Sequence, residues 1–288
     1  MSEFLRPYTA RAQADLERWL VEPEAPGPLA EAMRYCALGG GKRLRPAIVY
    51  MAAGAVGDAG GELAGRAAAA VEMVHAYSLV HDDLPAMDDD ALRRGRPTAH
   101  VKFGEAMAIL ASDAILTRAF GVLGEADDAR AGRLVALLAR GAGAAGMVTG
   151  QVADMGLCDV PAGAEPFRYI HLHKTAALLE AAARMGALAG GGNETDVETL
   201  GLYARTLGVA FQVVDDVLDV TGAAADLGKT PGKDAQAGKP TAVAALGLVA
   251  AGQLADRLTG QAIALLERFG PGGQDLATLA QLLGRRRA

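Results

Sequence analysis

Two clusters of aspartate, Asp82-Asp83-Leu84-Pro85-Ala86-Met87-Asp88 and Asp215-Asp216-Val217-Leu218-Asp219, are the residues of this chain best suited to chemistry. Two carboxylates about 4 Å apart repel by roughly 4 kcal/mol at an effective dielectric near 20, so a fold that crowds them needs cations nearby. Carboxylate oxygens suit Mg²⁺, which is commonly held by one or two carboxylates together with substrate phosphates. Asp215 and Asp219 are four residues apart and share one face of a helix. Asp82 and Asp88 are six apart, which on an ideal helix turns them away from each other. Pro85 must distort or end that helix, and the distortion can return Asp88 towards Asp82. The alternative is a solvated acidic helix end, extended by Asp89 and Asp90. Recurrence of the pattern at two matched positions favours the metal.

Basic groups accompany the carboxylates. Arg93, Arg94 and Arg96 follow the first cluster, Lys42, Arg43 and Arg45 lie in the segment Gly39 to Pro46, and Lys174-Thr175 opens another apolar run. Such a set suits a polyanion: carboxylates hold the cation while Lys and Arg touch phosphate oxygens. Other nucleotide and metal motifs fail on their own terms. Cys36 stands where a Walker A loop needs its first glycine, and Arg43 follows Lys42 in place of Ser or Thr. Gly141 to Gly146 spells G-x-G-x-x-G within a helical run instead of after a strand, so close helix packing is expected there. Leu84, Ala86 and Arg93 occupy ligand positions of a calcium loop. His171 and His173 have no partner at zinc spacing and read as structural or surface residues.

Each aspartate cluster ends an apolar run, Ala67 to Val80 before the first and Leu207 to Val214 before the second. Ala- and Leu-rich patterning predicts helices near residues 9–20, 28–38, 46–56, 62–84, 104–123, 127–152, 164–189, 194–221, 240–268 and 273–285. No alternating strand pattern of useful length appears. The longest irregular stretch, Asp226 to Pro240, carries Lys229, Lys233 and Lys239. The expectation is one all-α domain over residues 1–288, a bundle of roughly ten helices. With 51% hydrophobic residues a large core is within reach, and a net charge of -6 argues against a nucleic-acid partner. No uninterrupted apolar run reaches the ~18 residues of a membrane span, and the start of the chain lacks the layout of a secretion signal. Two cysteines, Cys36 and Cys158, make no disulfide framework, which fits a cytoplasmic setting.

Five motifs occur in order: Gly40-Gly41-Lys42-Arg43-Leu44-Arg45-Pro46, the Asp-Asp-x4-Asp box at 82–88 followed by Arg93-Arg94-Gly95, Gly150-Gln151-x2-Asp154, Lys174-Thr175, and Phe211-Gln212-x2-Asp215-Asp216-x2-Asp219. With them the chain resembles the short-chain trans-isoprenyl diphosphate synthases, and in particular the bacterial farnesyl diphosphate synthase type, from Gly39 to about Leu248. The resemblance implies an isoprenoid synthase fold around a deep central cavity, usually as a homodimer. It also implies a head-to-tail condensation of isopentenyl diphosphate with dimethylallyl and then geranyl diphosphate. Carried over by motif, Asp82, Asp88 and Asp215 hold three Mg²⁺ ions on the allylic diphosphate, supported by Asp83, Asp216, Asp219, Gln151 and Asp154. Arg93, Lys174, Thr175, Gln212, Lys229 and Lys239 grip that diphosphate, with Lys174 counted among the catalytic residues. Lys42, Arg45, His75 and Arg94 hold isopentenyl diphosphate.

In the family the departing diphosphate is the usual base, which would leave no need for a Glu/His pair. An aromatic residue five before the first box, here Tyr77, floors the cavity at fifteen carbons. Met107 or Ile115 are other possible floors, and geranylgeranyl or geranyl diphosphate other products. A class I terpene cyclase and a non-catalytic synthase subunit are the rival readings; the Lys42, Arg45 and His75 set argues against a cyclase. His81 has no assigned role, and Arg285 to Arg287 reads as a solvated tail.

Overall fold

A computed structural model describes residues 2–58, 60–221 and 239–285; Lys229, Lys233, Arg286 and Arg287 lie outside the described residues. Over the described residues the chain is all-α apart from one small hairpin. Its elements are α1 (Ser2–Trp19), α2 (Gly27–Ala37), α3 (Leu44–Val56), α4 (Glu62–Asp82), β1 (Leu92–Arg93), β2 (Arg96–Pro97), α5 (Ala99–Phe103) and α6 (Glu105–Gly124). There follow α7 (Ala131–Ala142), α8 (Met147–Asp154), α9 (Pro166–Ile170), a π-helical turn (His171–Ala176), α10 (Ala177–Ala189) and α11 (Glu194–Thr221). The C-terminal part holds α12 (Ala242–Leu246), α13 (Leu248–Ala264), a 3-10 segment (Glu267–Gly273) and α14 (Gln274–Gly284).

Helix α4 is buried along nearly its whole length, from Leu63 through Ala67, Ala68, Ala69 and Ala70 to Val74. A helix that is apolar all round belongs inside a core, and α4 packs against α3, α6 and α10. The first half of α11, with Leu200, Tyr203 and Leu207, joins the same core. Its second half, Val209 to Leu218, packs on Phe167, Ala176, Ala242, Ala251 and Ala255. Burial of these two helices is what fixes their polar ends: α4 finishes on Asp82, and α11 carries Asp215 and Asp219 near its own finish. Carboxylates at a helix C-terminus meet the negative end of the helix dipole, a second reason for cations there.

Several predicted helices are interrupted. The one expected over 127–152 is two, α7 and α8, because the chain turns between Gly143 and Gly146. Gly141 does serve close packing, since a Cβ there would sit 2.6 Å from the Cβ of Ala181. The helix expected over 164–189 contains the π-helical turn, and that over 240–268 breaks at Gly247. Helix α4 stops at Asp82, before the expected end at residue 84.

Counting unbroken apolar runs also overlooked two stretches, Glu105–Gly124 and Ala131–Asp154, long and apolar enough by composition to cross a membrane. The second is broken between α7 and α8. Both have faces in the core, through Ala111, Ile115 and Val122 in one and Leu134 and Leu138 in the other.

Candidate active site

At the end of α4 the chain folds back on itself. The Asp88 N–H donates to the Asp82 carbonyl at 2.8 Å, and the N–H groups of Met87 and Asp89 donate to the Leu84 carbonyl at 2.9 and 3.2 Å. Pro85 sits inside this turn, and Asp88 returns to Asp82 as the spacing argument expected. Burial raises the Asp82 carboxyl above the usual range and Asp88 adds to the rise, while Lys174 pulls it down. Asp83 points elsewhere: only 3% exposed, it accepts from Arg93 Nε at 2.7 and 2.9 Å and from Arg93 Nη2 at 2.7 Å.

The second box faces α8 and the π-helical turn. Thr175 Oγ1 donates to Gln212 Oε1 at 2.7 Å, and Gln212 Nε2 reaches Asp215 Oδ2 at 3.4 Å. Lys174 Nζ lies 2.6 Å and Lys239 Nζ 3.4 Å from one oxygen of Asp154. Burial alone would raise the Asp154 carboxyl, but the two ammonium groups outweigh it and hold it below the ordinary range. Lys174 thus stands between the boxes, paired with Asp154 and felt by Asp82. Asp216 turns inward, accepts the Ala242 N–H at 2.7 Å, and lies 3.5 Å from His171 Nε2. Burial pushes His171 down to about 4, so it is neutral at pH 7 and structural, as its sequence context suggested. Asp219 follows one turn after Asp215 on α11.

The local backbone explains this convergence. A Cβ on Gly150 would sit 2.0 Å from the Lys174 backbone nitrogen; only glycine lets α8 press on the π-helical turn and bring Asp154 to Lys174. Single π-helical turns recur at functional sites, and this one presents Lys174 and Thr175 together.

A second basic region lies beside the first box. Arg45 Nε and His75 Nδ1 are buried without a hydrogen-bond partner. Burial lowers the Arg45 guanidinium, and burial together with Arg45, Arg94, Arg93 and Arg43 keeps His75 well below its ordinary value. A buried donor left unsatisfied is costly, and an anion beside Arg45 Nε would relieve that cost. Arg94 donates to the Gly40 carbonyl, and Lys42 is exposed at the rim.

Sequence reasoning missed three contributors here. Arg43 is 4% exposed and pairs with the buried Glu72 at 2.7 Å, and Tyr35 holds the arginine hairpin. Glu72 had left a signal, one carboxylate inside an alanine-rich apolar helix that needs a buried partner. Tyr77 is half-buried on α4, its ring edge-on to His81 with centroids 5.2 Å apart.

Among the described residues no three His, Cys, Asp or Glu side chains gather closely enough to hold a metal alone. Asp82 and Asp88 offer oxygen donors of the kind that hold Mg²⁺ beside phosphate, and the charge Asp88 places on Asp82 is what a cation would relieve.

A polyprenyl synthetase family model matches residues 26–264. A chloroplastic geranylgeranyl pyrophosphate synthase of Arabidopsis thaliana is 49% identical over 255 residues, 85% of this chain and 71% of the plant protein. Farnesyl diphosphate synthase of Escherichia coli is 47% identical over 261 residues, 88% of this chain and 87% of the bacterial one. The crystal structure of a geranylgeranyl pyrophosphate synthetase from Pyrococcus horikoshii superimposes with a TM-score of 0.87 at 30% identity, covering 98% of both chains.

Proposed function

As a member of the polyprenyl synthetase family the chain is a trans-isoprenyl diphosphate synthase, a prenyltransferase, and we propose that its product is farnesyl diphosphate. It would condense isopentenyl diphosphate head-to-tail with dimethylallyl and then geranyl diphosphate. The observation that supports two-substrate chemistry is the second cluster of basic groups, beside the first box. The unpartnered Arg45 Nε and His75 Nδ1, with Arg94 near His75, support a second diphosphate site, which a cyclase acting on one diphosphate does not need.

In this reading the allylic diphosphate lies between the boxes, against Lys174, Thr175, Gln212 and Lys239, with Arg93 at its edge and Lys229 contributing from outside the described residues. Asp82, Asp88 and Asp215 would hold three Mg²⁺ ions, supported by Asp83, Asp216 and Asp219; bound there, the ions neutralise charge on the leaving diphosphate. Lys174 and its neighbours donate to oxygens that gain charge as the allylic C–O bond breaks, stabilisation that grows towards the transition state. Lys42, Arg45, His75 and Arg94 hold isopentenyl diphosphate with its double bond towards the cation. The new C–C bond leaves a tertiary cation, and loss of a proton to the departed diphosphate completes the step without a side-chain base. Apolar walls keep water from the cation.

Product length rests on Tyr77. It sits five residues before Asp82 on an unbroken α4, about 7.5 Å further along the helix axis, where its ring limits chain growth. Geranylgeranyl diphosphate is the second reading, favoured by the plant and archaeal relatives named for that product. We also propose a cytoplasmic homodimer; Ile109 and Leu110, 40% and 59% exposed on α6, supply apolar surface for a second copy, testable by sedimentation.

The deciding experiment incubates the protein with Mg²⁺, isopentenyl diphosphate and, separately, dimethylallyl, geranyl and farnesyl diphosphate, with products weighed by mass spectrometry. Fifteen-carbon product from the first two, with farnesyl diphosphate left unextended, supports the proposal. Twenty-carbon product replaces farnesyl by geranylgeranyl, and no product at all points to a non-catalytic subunit.

A further inference from the structure

The hairpin that carries Arg93 and Arg94 has little of its own to hold it. Its strands are two residues each, with Leu92 opposite Pro97 and Arg93 opposite Arg96. Arg94 and Gly95 form the turn at φ 53° and 73°, the left-handed pair that a tight two-residue loop requires. Even full-length two-stranded hairpins are marginal in water.

One side chain of α2 grips the outgoing strand. The Tyr35 hydroxyl donates to the Pro97 carbonyl at 2.7 Å. The Arg96 guanidinium carbon lies 4.2 Å and the Lys102 ammonium 4.0 Å from the centroid of the Tyr35 ring, within cation–π range. Phe103 stands edge-on to the same ring at 5.2 Å. Two residues later α2 ends at Ala37, whose carbonyl accepts from Arg43 Nη2 at 2.8 Å. The end of α2 therefore fixes two things together: the hairpin bearing Arg93 and Arg94, and the segment bearing Lys42 that runs into α3 and Arg45.

We propose that Tyr35 is a positioning residue for isopentenyl diphosphate binding: by anchoring Pro97 it sets the hairpin, and through it Arg94, against the start of α3, which carries Arg45. The proposal rests on the reading of Arg94 as a ligand of that diphosphate. In this proposal Tyr35 acts through the register of the hairpin.

The test titrates isopentenyl diphosphate into the full-length protein by calorimetry without allylic substrate, beside steady-state kinetics and thermal unfolding. Tyr35→Phe keeps the ring and removes the hydroxyl. It should weaken binding about three- to tenfold, the effect of one typical hydrogen bond, and raise KM for isopentenyl diphosphate by the same factor while kcat stays within about twofold. Arg96→Gln, at an exposed position, removes one ring contact without risk to the core and should weaken binding in the same direction by about twofold. Arg94→Gln tests the underlying reading. If Arg94→Gln weakens binding and Tyr35→Phe does not, the positioning role is overturned and the diphosphate site stands. If Tyr35→Phe lowers the unfolding temperature and kcat with binding unchanged, the residue is structural only and the proposal fails. If Arg94→Gln leaves binding unchanged, the site reading falls and the proposal with it.

Discussion

Replacing Gly150 with alanine tests whether the approach of α8 to the π-helical turn builds the site. The added Cβ would lie 2.0 Å from the Lys174 nitrogen, 2.4 Å from its Cα and 2.7 Å from the His173 carbonyl carbon. Non-bonded carbon contacts are favourable only from about 3.5 Å. All three neighbours are backbone atoms, so no rotamer change relieves the clash. The two segments must part by about 1–1.5 Å, and overpacking of this kind costs about 1–3 kcal/mol. At about 2–4 °C per kcal/mol for a chain somewhat smaller than this one, the unfolding temperature should fall by several degrees. Turnover should suffer more, because parting the segments opens the 2.6 Å contact of Lys174 with Asp154, and a displacement near 1 Å at a reacting centre can cost about 10²-fold. The assay is incorporation of labelled isopentenyl diphosphate with geranyl diphosphate as partner, alongside calorimetric unfolding. Gly132→Ala on α7, where an added Cβ meets nothing within 4 Å, is the control and should be neutral or slightly stabilising. Wild-type stability and turnover in Gly150→Ala would refute the argument.

Asp82→Asn should leave the fold intact and lower turnover by at least about 10²-fold, the scale of losing one preorganised electrostatic contact; near-normal rates with saturating Mg²⁺ would remove Asp82 from the metal assignment. Tyr77→Ala should lengthen the principal product by at least one five-carbon unit on mass spectrometry, and an unchanged product would place the floor elsewhere, at Met107 or Ile115. His75 is kept well below its ordinary value in the fold, whereas the unfolded chain binds that proton near pH 6.5. Its contribution to stability is therefore complete above about pH 6.5 and is lost as pH falls, by up to about 1.4 kcal/mol per pH unit. Urea unfolding at pH 7.5, 6.5 and 5.5 should follow that slope, and His75→Gln should flatten it.

The helical class and the return of Asp88 to Asp82 were legible in the sequence because each follows from a strong local rule. Apolar periodicity set the first, and a proline three residues after Asp82 set the second. The breaks were not legible. Nothing local to Gly143 to Gly146 distinguishes a chain reversal from a tolerated helical glycine, and the π-helical turn at His171–Ala176 is imposed by packing against Gly150, twenty residues and more away. The basic residues were found by type, but not their division of labour. Arg43 and Arg45 alternate in one motif, yet Arg43 serves the buried Glu72 while Arg45 keeps an unpartnered Nε. Which of two neighbouring cations is structural depends on a carboxylate from another helix, and a linear motif carries no record of it.

The two aspartate boxes share a logic in how they are tied into the fold. In each, the second aspartate is turned inward and nearly sealed, Asp83 at 3% and Asp216 at 9% exposure, and fastens a distant segment that carries cations. Asp83 holds Arg93 and so the arginine hairpin; Asp216 holds the Ala242 N–H and so the start of α12, three residues after Lys239. Buried carboxylates are tolerable only when hydrogen-bonded, which makes each tether specific for its partner. The first aspartate of each box faces otherwise: Asp82 feels the Lys174 ammonium, and Asp215 lies 3.4 Å from Gln212 Nε2, one turn earlier on its own helix. A carboxylate pair that would be a liability at one helix end thus divides its work: one member is left facing the site, and its neighbour ties down a segment that carries or adjoins a cation.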